Sequence, residues 1–149
     1  MASETAAISE PALAVLTKAS KGCAPEMRYF WAMMVAGTGR IVTVSSMAVG
    51  LHEEGTAAYA AAKSAIVEMT KILAKELAPN GITAKVVAPS MFPSDAFEAL
   101  GDAVQARARS KLTIPRMVTI EEIASVIAFF AGPDSAPITG QVIHMGLVV

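Results

Sequence analysis

Cysteine is almost missing from this 149-residue chain. Cys23 stands alone, so no intrachain disulfide can form, and a cytoplasmic setting is expected. Charge is scarce as well: charged residues make up 17% of the chain, and 12 Lys+Arg against 13 Asp+Glu leave a net charge of −1. So even a balance does not easily supply the basic face that nucleic acid requires. Long hydrophobic runs are also lacking. The most apolar uninterrupted stretch, Tyr29 to Ala36, falls far short of the roughly 20 residues that cross a bilayer. The first residues, MASETAA, offer neither a basic region nor an apolar signal core. No nucleic-acid partner, membrane or metal site is expected.

What is present is apolar surface. The chain is 54% hydrophobic, with a mean hydropathy of +0.51. That is ample to offset the entropy of ordering, and the length suits one core. A single domain over residues 1–149 is expected, with 1–9 as a loose polar tail. The hydropathy is high for so small a domain, so part of its surface should face another chain in an oligomer.

Periodicity and punctuation divide the chain into alternating elements. Ser9-Glu10-Pro11 reads as a helix start, with helix-friendly residues from Ala12 to Ser20. A second apolar piece runs from Ala24 to Val35 and closes at Gly37-Thr38-Gly39. Arg40 to Ser46, RIVTVSS, has the β-branched profile of a buried parallel strand. After a loop, Thr56 is placed to cap a helix from Ala57 to Leu77, which Pro79-Asn80-Gly81 stops. Ile82 to Val87 reads as a second strand. Residues 89–118, with Pro89, Pro93 and Pro115, read as a mobile excursion containing short helices. Thr119-Ile120-Glu121-Glu122 is a capping box for a helix to Ala131, and Gln141 to Met145 is a last strand. The alternation predicts an α/β fold with about three parallel strands and right-handed crossovers.

Tyr59 and Lys63 stand one helical turn apart on one face. An ammonium there stabilises the phenolate form, so that a tyrosine can exchange a proton with an alcohol or carbonyl near neutral pH. Taken alone the pair says little, since such spacing arises by chance in roughly one chain of this length in four. Its setting adds weight. Ser45-Ser46 ends the first predicted strand, at the edge where open α/β sheets bind ligands, and the tyrosine helix begins just after the next loop. His52, Glu53 and Glu54 in that loop read as solvated residues rather than catalysts.

The runs GRIVTVSSMAVG and AAYAAAKSAIVEMTKILAKELAPNGITAKVVAPS resemble the short-chain dehydrogenase/reductase family, nearest in flavour to its 3-oxoacyl-(acyl-carrier-protein) reductases. The later RMVTIEEIASVIAFFAGPDSAPITGQVIHM resembles it too, so the likeness covers at least residues 39–145. The resemblance implies a Rossmann-like doubly wound sheet and hydride transfer between NAD or NADP and a hydroxyl/carbonyl substrate. It gives Ser46 the task of polarising the substrate oxygen. Tyr59 becomes the general acid in reduction and base in oxidation, and Lys63 the holder of the nicotinamide ribose. Pro89 would open the segment over the nicotinamide, Phe92 would contact the carboxamide through its backbone, and Ser94 would stand in for the usual threonine. Met91 to about Lys111 would be the substrate lid. Helix pairing in the family implies a homo-oligomer, or a hetero-oligomer with a full-length relative.

The departures are as informative. The family's TGxxxGxG turn does not occur, and Gly37-Thr38-Gly39 lies before the serine strand as a mere connecting turn. The NNAG strand is missing as well. The resemblance therefore covers the C-terminal catalytic half, without the nucleotide-binding half, its first four strands or its adenosine site, and one edge of the serine strand should be bare. The sole asparagine, Asn80, follows the tyrosine helix; alignment puts Lys18 or Ser9 where the relay asparagine belongs. The usual glycine after Pro89 is Ser90, which should crowd the nicotinamide segment, and the ending Met145-Gly146-Leu147-Val148-Val149 lacks the usual glycine pair. Two functions stay open: an oxidoreductase acting on 3-oxoacyl/3-hydroxyacyl-like substrates, or a non-catalytic subunit kept as an association partner. A dehalogenase-type member would want arginine at position 63.

Overall fold

The computed structural model describes residues 12–16, 33 and 36–148. The expected tail at 1–9 and all but Met33 of the apolar piece at 24–35 lie outside them. Four parallel strands form one sheet: β1 (Ala12–Leu16), β2 (Gly39–Val44), β3 (Ile82–Pro89) and β4 (Val142–Met145), side by side in chain order. The α/β class is as expected, with one strand more than the count of about three. That strand occupies part of the stretch read above as helix. A five-residue apolar run is compatible with either state. Pairing decides it, because Ala12 to Leu16 run in register with Gly39 to Thr43 and occupy the edge of β2. The edge expected to be bare is covered.

β2 and β3 are the buried centre of the sheet, paired from Gly39–Ile82 to Val44–Val87. Ile41, Val42, Thr43, Ile82, Ala84, Val86 and Val87 have no exposed surface, in keeping with the largely β-branched, apolar make-up of these central strands. α1 (Ala48–Leu51) and α2 (Ala57–Leu77) follow β2. The bounds of α2 agree with the sequence, but Thr56 does not cap it. Its hydroxyl donates instead to the carbonyl of Glu53 at 2.7 Å. α2 ends in a 3-10 turn, Ala78–Asn80, and at Gly81, with φ +69°, where any Cβ would collide with the carbonyl oxygen of Gly37.

One sheet face packs on α2, through Leu73, Ala74 and Leu77 against Met33, Ile41, Ile82 and Ala84. A polar bolt crosses this layer: the hydroxyls of Thr43 and Thr70 are 2.8 Å apart, and Thr70 also donates to the carbonyl of Ile66 at 2.7 Å. The opposite face packs on α5 (Ile120–Ala131), whose Phe130 is buried with Val42 and Val87 among Ile123, Val126 and Ile127. The expected capping box is formed by Thr119 and Glu122. Arg116 grips Glu122 with two bonds, of 2.8 and 2.5 Å, and holds its carboxyl at about 2.

The steps from β2 to β3 and from β3 to β4 run the same way across the sheet, yet α2 and α5 lie on opposite faces. The two crossovers therefore have opposite hands, and only one can be the right-handed kind expected for both. The second is the long excursion of residues 90–119, which holds α3 (Asp95–Glu98) and α4 (Asp102–Arg109), the short helices anticipated there.

On the α5 side Lys85 is fully buried. Its ammonium donates to Thr83 Oγ1 at 3.0 Å, the Phe130 carbonyl at 3.0 Å and Ser135 Oγ at 2.9 Å. Burial, and secondarily the nearby Arg40, lower its pKa to about 8. Among the described residues, no helix is long and apolar enough to cross a membrane. Nor does any group of three or more His, Cys, Asp or Glu side chains among them suit a metal ion.

Candidate active site

β2 ends at Val44, and the two serines follow at the carboxyl edge of the sheet, where ligands of open α/β sheets gather. They do different things. Ser45 is buried, and its hydroxyl donates to the backbone carbonyl of Lys63 at 3.0 Å. Lys63 answers with its ammonium, which donates to the carbonyl of Val44 at 3.0 Å. These reciprocal bonds fasten the end of β2 to the first turns of α2. Ser46 is only half-buried. Its oxygen accepts from the amide of Ala48 at 3.2 Å, which leaves the hydroxyl proton free to donate outward.

Tyr59 stands one turn before Lys63, and the ammonium lies 5.9 Å from the centre of its ring. The tyrosine is 52% exposed and opens on a cavity of about 360 Å³. Ser46, Tyr59, Phe92 and Ser94, all singled out by sequence, line that one cavity together with Ser90 and Met91. Lys63 stands behind the lining, and Pro89 closes β3 with its carbonyl accepting from the amide of Met47 at 3.1 Å. Ser94 has a second task, capping α3 by accepting from the amide of Phe97 at 3.2 Å.

Ser90 was expected to crowd this segment. Its amide donates to the Met145 carbonyl at 2.9 Å, while its hydroxyl is buried with no partner. The hydroxyl is accommodated by Gly146, whose φ is +84° and which has no Cβ to meet it. The substitution after Pro89 is thus matched at the end of β4.

A second cavity of about 510 Å³ adjoins the first, sharing Leu51, Glu53, Thr56, Met91 and Ala108 in its walls. Here sequence reasoning missed Glu53. His52 and Glu54 are exposed as expected, but the Glu53 carboxylate accepts from Lys111, 58 residues further on, and lies 3.6 Å from Arg107. No local signal could have disclosed partners so distant in sequence. The relay positions Lys18 and Ser9 lie outside the described residues, and Asn80 sits beyond the far end of α2.

A family model described as enoyl-(acyl carrier protein) reductase matches residues 9–146. The 3-oxoacyl-(acyl-carrier-protein) reductase of Salmonella typhimurium is 39% identical over 114 residues, covering 76% of this chain and 47% of the relative. That of Vibrio cholerae is 37% identical over 113 residues, covering 76% and 46%. The chain spans about half the length of the curated relatives it matches. Among solved structures, a 3-oxoacyl-(acyl-carrier protein) reductase from Brucella melitensis superposes with a TM-score of 0.76 at 30% identity, covering 83% of this chain and 48% of that one. A blue fluorescent protein from a metagenomic library, solved in complex with NADPH, gives 0.69 at 34%, covering 74% and 46%. With a family model running through nearly every element described above, this chain belongs to the short-chain dehydrogenase/reductase family, close to its 3-oxoacyl-(acyl-carrier-protein) reductases.

Proposed function

We propose that this chain is the reacting-group half of an NAD(P)-dependent oxidoreductase, acting between a hydroxyl and a carbonyl on a 3-hydroxyacyl/3-oxoacyl-like substrate. One observation supports the reading above others: the Ser46 hydroxyl and the Tyr59 phenol open on the same cavity, with the Lys63 ammonium fixed behind them. Ser46 donates its free proton to the substrate oxygen, holding and polarising it. Tyr59 gives that oxygen a proton in reduction and takes it back in oxidation. Lys63, anchored on Val44, keeps a positive charge by the phenol and offers its remaining donors to ribose hydroxyls.

A nicotinamide cofactor supplies the hydride when bound. The residues here suit its nicotinamide end: Ser90, Met91, Phe92 and Ser94, which follow Pro89, line the cavity, and the Ser90 hydroxyl is an unmatched buried donor in that segment. In this reading the adenosine end is met by a surface other than a glycine-rich turn of the TGxxxGxG kind, since none occurs in these 149 residues. Association with a second copy or a longer relative would supply it. The exposed Met69 and Ile72 of α2, on the helix that bears Tyr59, support such a contact. They equally support the second reading, a non-catalytic association subunit.

Calorimetric titration of the chain with NADH and NADPH separates the two. Micromolar binding that is lost in Lys63→Ala is the expected result. No binding at millimolar cofactor overturns the oxidoreductase reading for this chain and leaves the association subunit.

A further inference from the structure

α4 forms one wall of the larger cavity and reaches the smaller one through Ala108, yet its apolar burial does not explain why it stays there. It has no buried residue. Only Ala103, Val104 and Ala108 turn apolar surface toward the cavities, and Val104 is itself exposed. So little burial does not hold a two-turn helix in place, and such elements belong to the least stable parts of a fold.

Gln105 donates to the Leu100 carbonyl at 2.7 Å, and Arg109 lies 5.5 Å over the Phe97 ring. These contacts tie α4 to the neighbouring α3 segment, whereas its attachment to the far side of the cavities is ionic. Lys111, just past the end of α4, donates to one oxygen of Glu53, and Arg107 within α4 approaches the other at 3.6 Å. Glu53 lies on the far rim, in the loop after α1, and lines both cavities. Its side chain is 25% exposed and that of Lys111 31%, so their pair is partly shielded from water. Arg107, 69% exposed and more distant, adds less.

We propose that Glu53 is a positioning residue, the latch that holds α4 as a wall of the larger cavity and so sets the width of the approach through it to the adjoining Ser46–Tyr59 cavity. Ligands then reach the two hydroxyls by a path whose width depends on one carboxylate. The proposal rests on the reading of that cavity as the substrate's, but the latch is measurable with no cofactor or substrate present.

Amide hydrogen exchange on the 149-residue chain tests it. In Glu53→Gln the amides of 102–109 exchange about fivefold faster, the size expected of a partly shielded ion-pair network, while those of α2 are unchanged. Raising salt to about 1 M speeds the same amides in the native chain and hardly at all in the variant. Lys111→Gln reproduces most of the effect and Arg107→Gln little of it. The reversed pair, Glu53→Lys with Lys111→Glu, restores protection, which a purely steric role for Glu53 would not allow. Unchanged exchange of 102–109 in both Glu53→Gln and Lys111→Gln overturns the latch. Should Glu53→Gln disturb α2 as well, Lys111→Gln, at a surface position, decides the matter. A latch seen in a chain that binds no cofactor would stand while the oxidoreductase reading fell.

Discussion

The Ser90 hydroxyl fills the space that a β-carbon on Gly146 would need. Residues 56 positions apart in sequence are therefore fitted to one another, and position 146 takes no side chain while the Ser90 hydroxyl is there. Gly146→Ala combines a backbone strained at φ +84° with a collision, and is expected to cost about 2 kcal/mol in urea unfolding. In a Ser90→Gly background the same change should cost distinctly less. Equal penalties in the two backgrounds would refute the fit. Ser90→Ala removes a buried hydroxyl without a partner and should stabilise the chain by about 1 kcal/mol.

Lys85 makes stability depend on pH in an unusual direction. Its pKa falls from 10.5 to about 8 on folding, chiefly through burial. Between these values the unfolded chain holds the proton and the folded chain does not, so stability rises with pH across that window. The shift sets an upper bound of about 3 kcal/mol on the gain, and below about pH 8 this contribution is gone. Urea midpoints of the native chain and of Lys85→Met, measured at several pH values, isolate it. A difference between them that stays flat from pH 8 to 10.5 would exclude the effect.

The Thr43–Thr70 bolt joins β2, which leads into Ser46, to α2, which bears Tyr59. Thr43→Val should cost about 1 kcal/mol, since Thr70 keeps its bond to the Ile66 carbonyl and loses only the second. Together, Thr43→Val and Thr70→Val should cost less than their sum. Strict additivity in that double-mutant cycle would mean the two hydroxyls do not act as a pair.

Association is expected to depend on the outer face of α2. Ile72→Glu combined with Met69→Lys should shift sedimentation toward the monomer, lower stability and remove its dependence on chain concentration. A monomer that stays folded with undiminished stability on dilution would contradict the view that a second chain supports this fold.

Much of the architecture could be read from local chemistry. The end of α2 follows from Pro79-Asn80-Gly81, and the capping box of α5 from Thr119 and Glu122. Four residues named from sequence for the site, Ser46, Tyr59, Phe92 and Ser94, meet at one cavity. What escaped is non-local. Ala12 to Leu16 became a strand because β2 offered an edge, a fact that no five-residue window contains. Lys85 could be buried because Phe130 and Ser135, 45 and 50 residues away, supply acceptors. Glu53 looked like a solvated loop residue because its partners lie in another helix region, and Ser90 looked like a clash because Gly146 is remote in sequence.

The path of the second crossover bears on how this site is able to vary. It leaves the carboxyl end of β3 and comes back along the α5 face, with residues 90–119 between the two elements. A large part of the pocket lining, from Ser90 to Leu100 and at Ala108, is thus connecting chain rather than sheet. Such chain accepts changes of sequence and of length that the buried strands beneath it do not, so the pocket is able to take a new shape while β2 and β3 stay as they are.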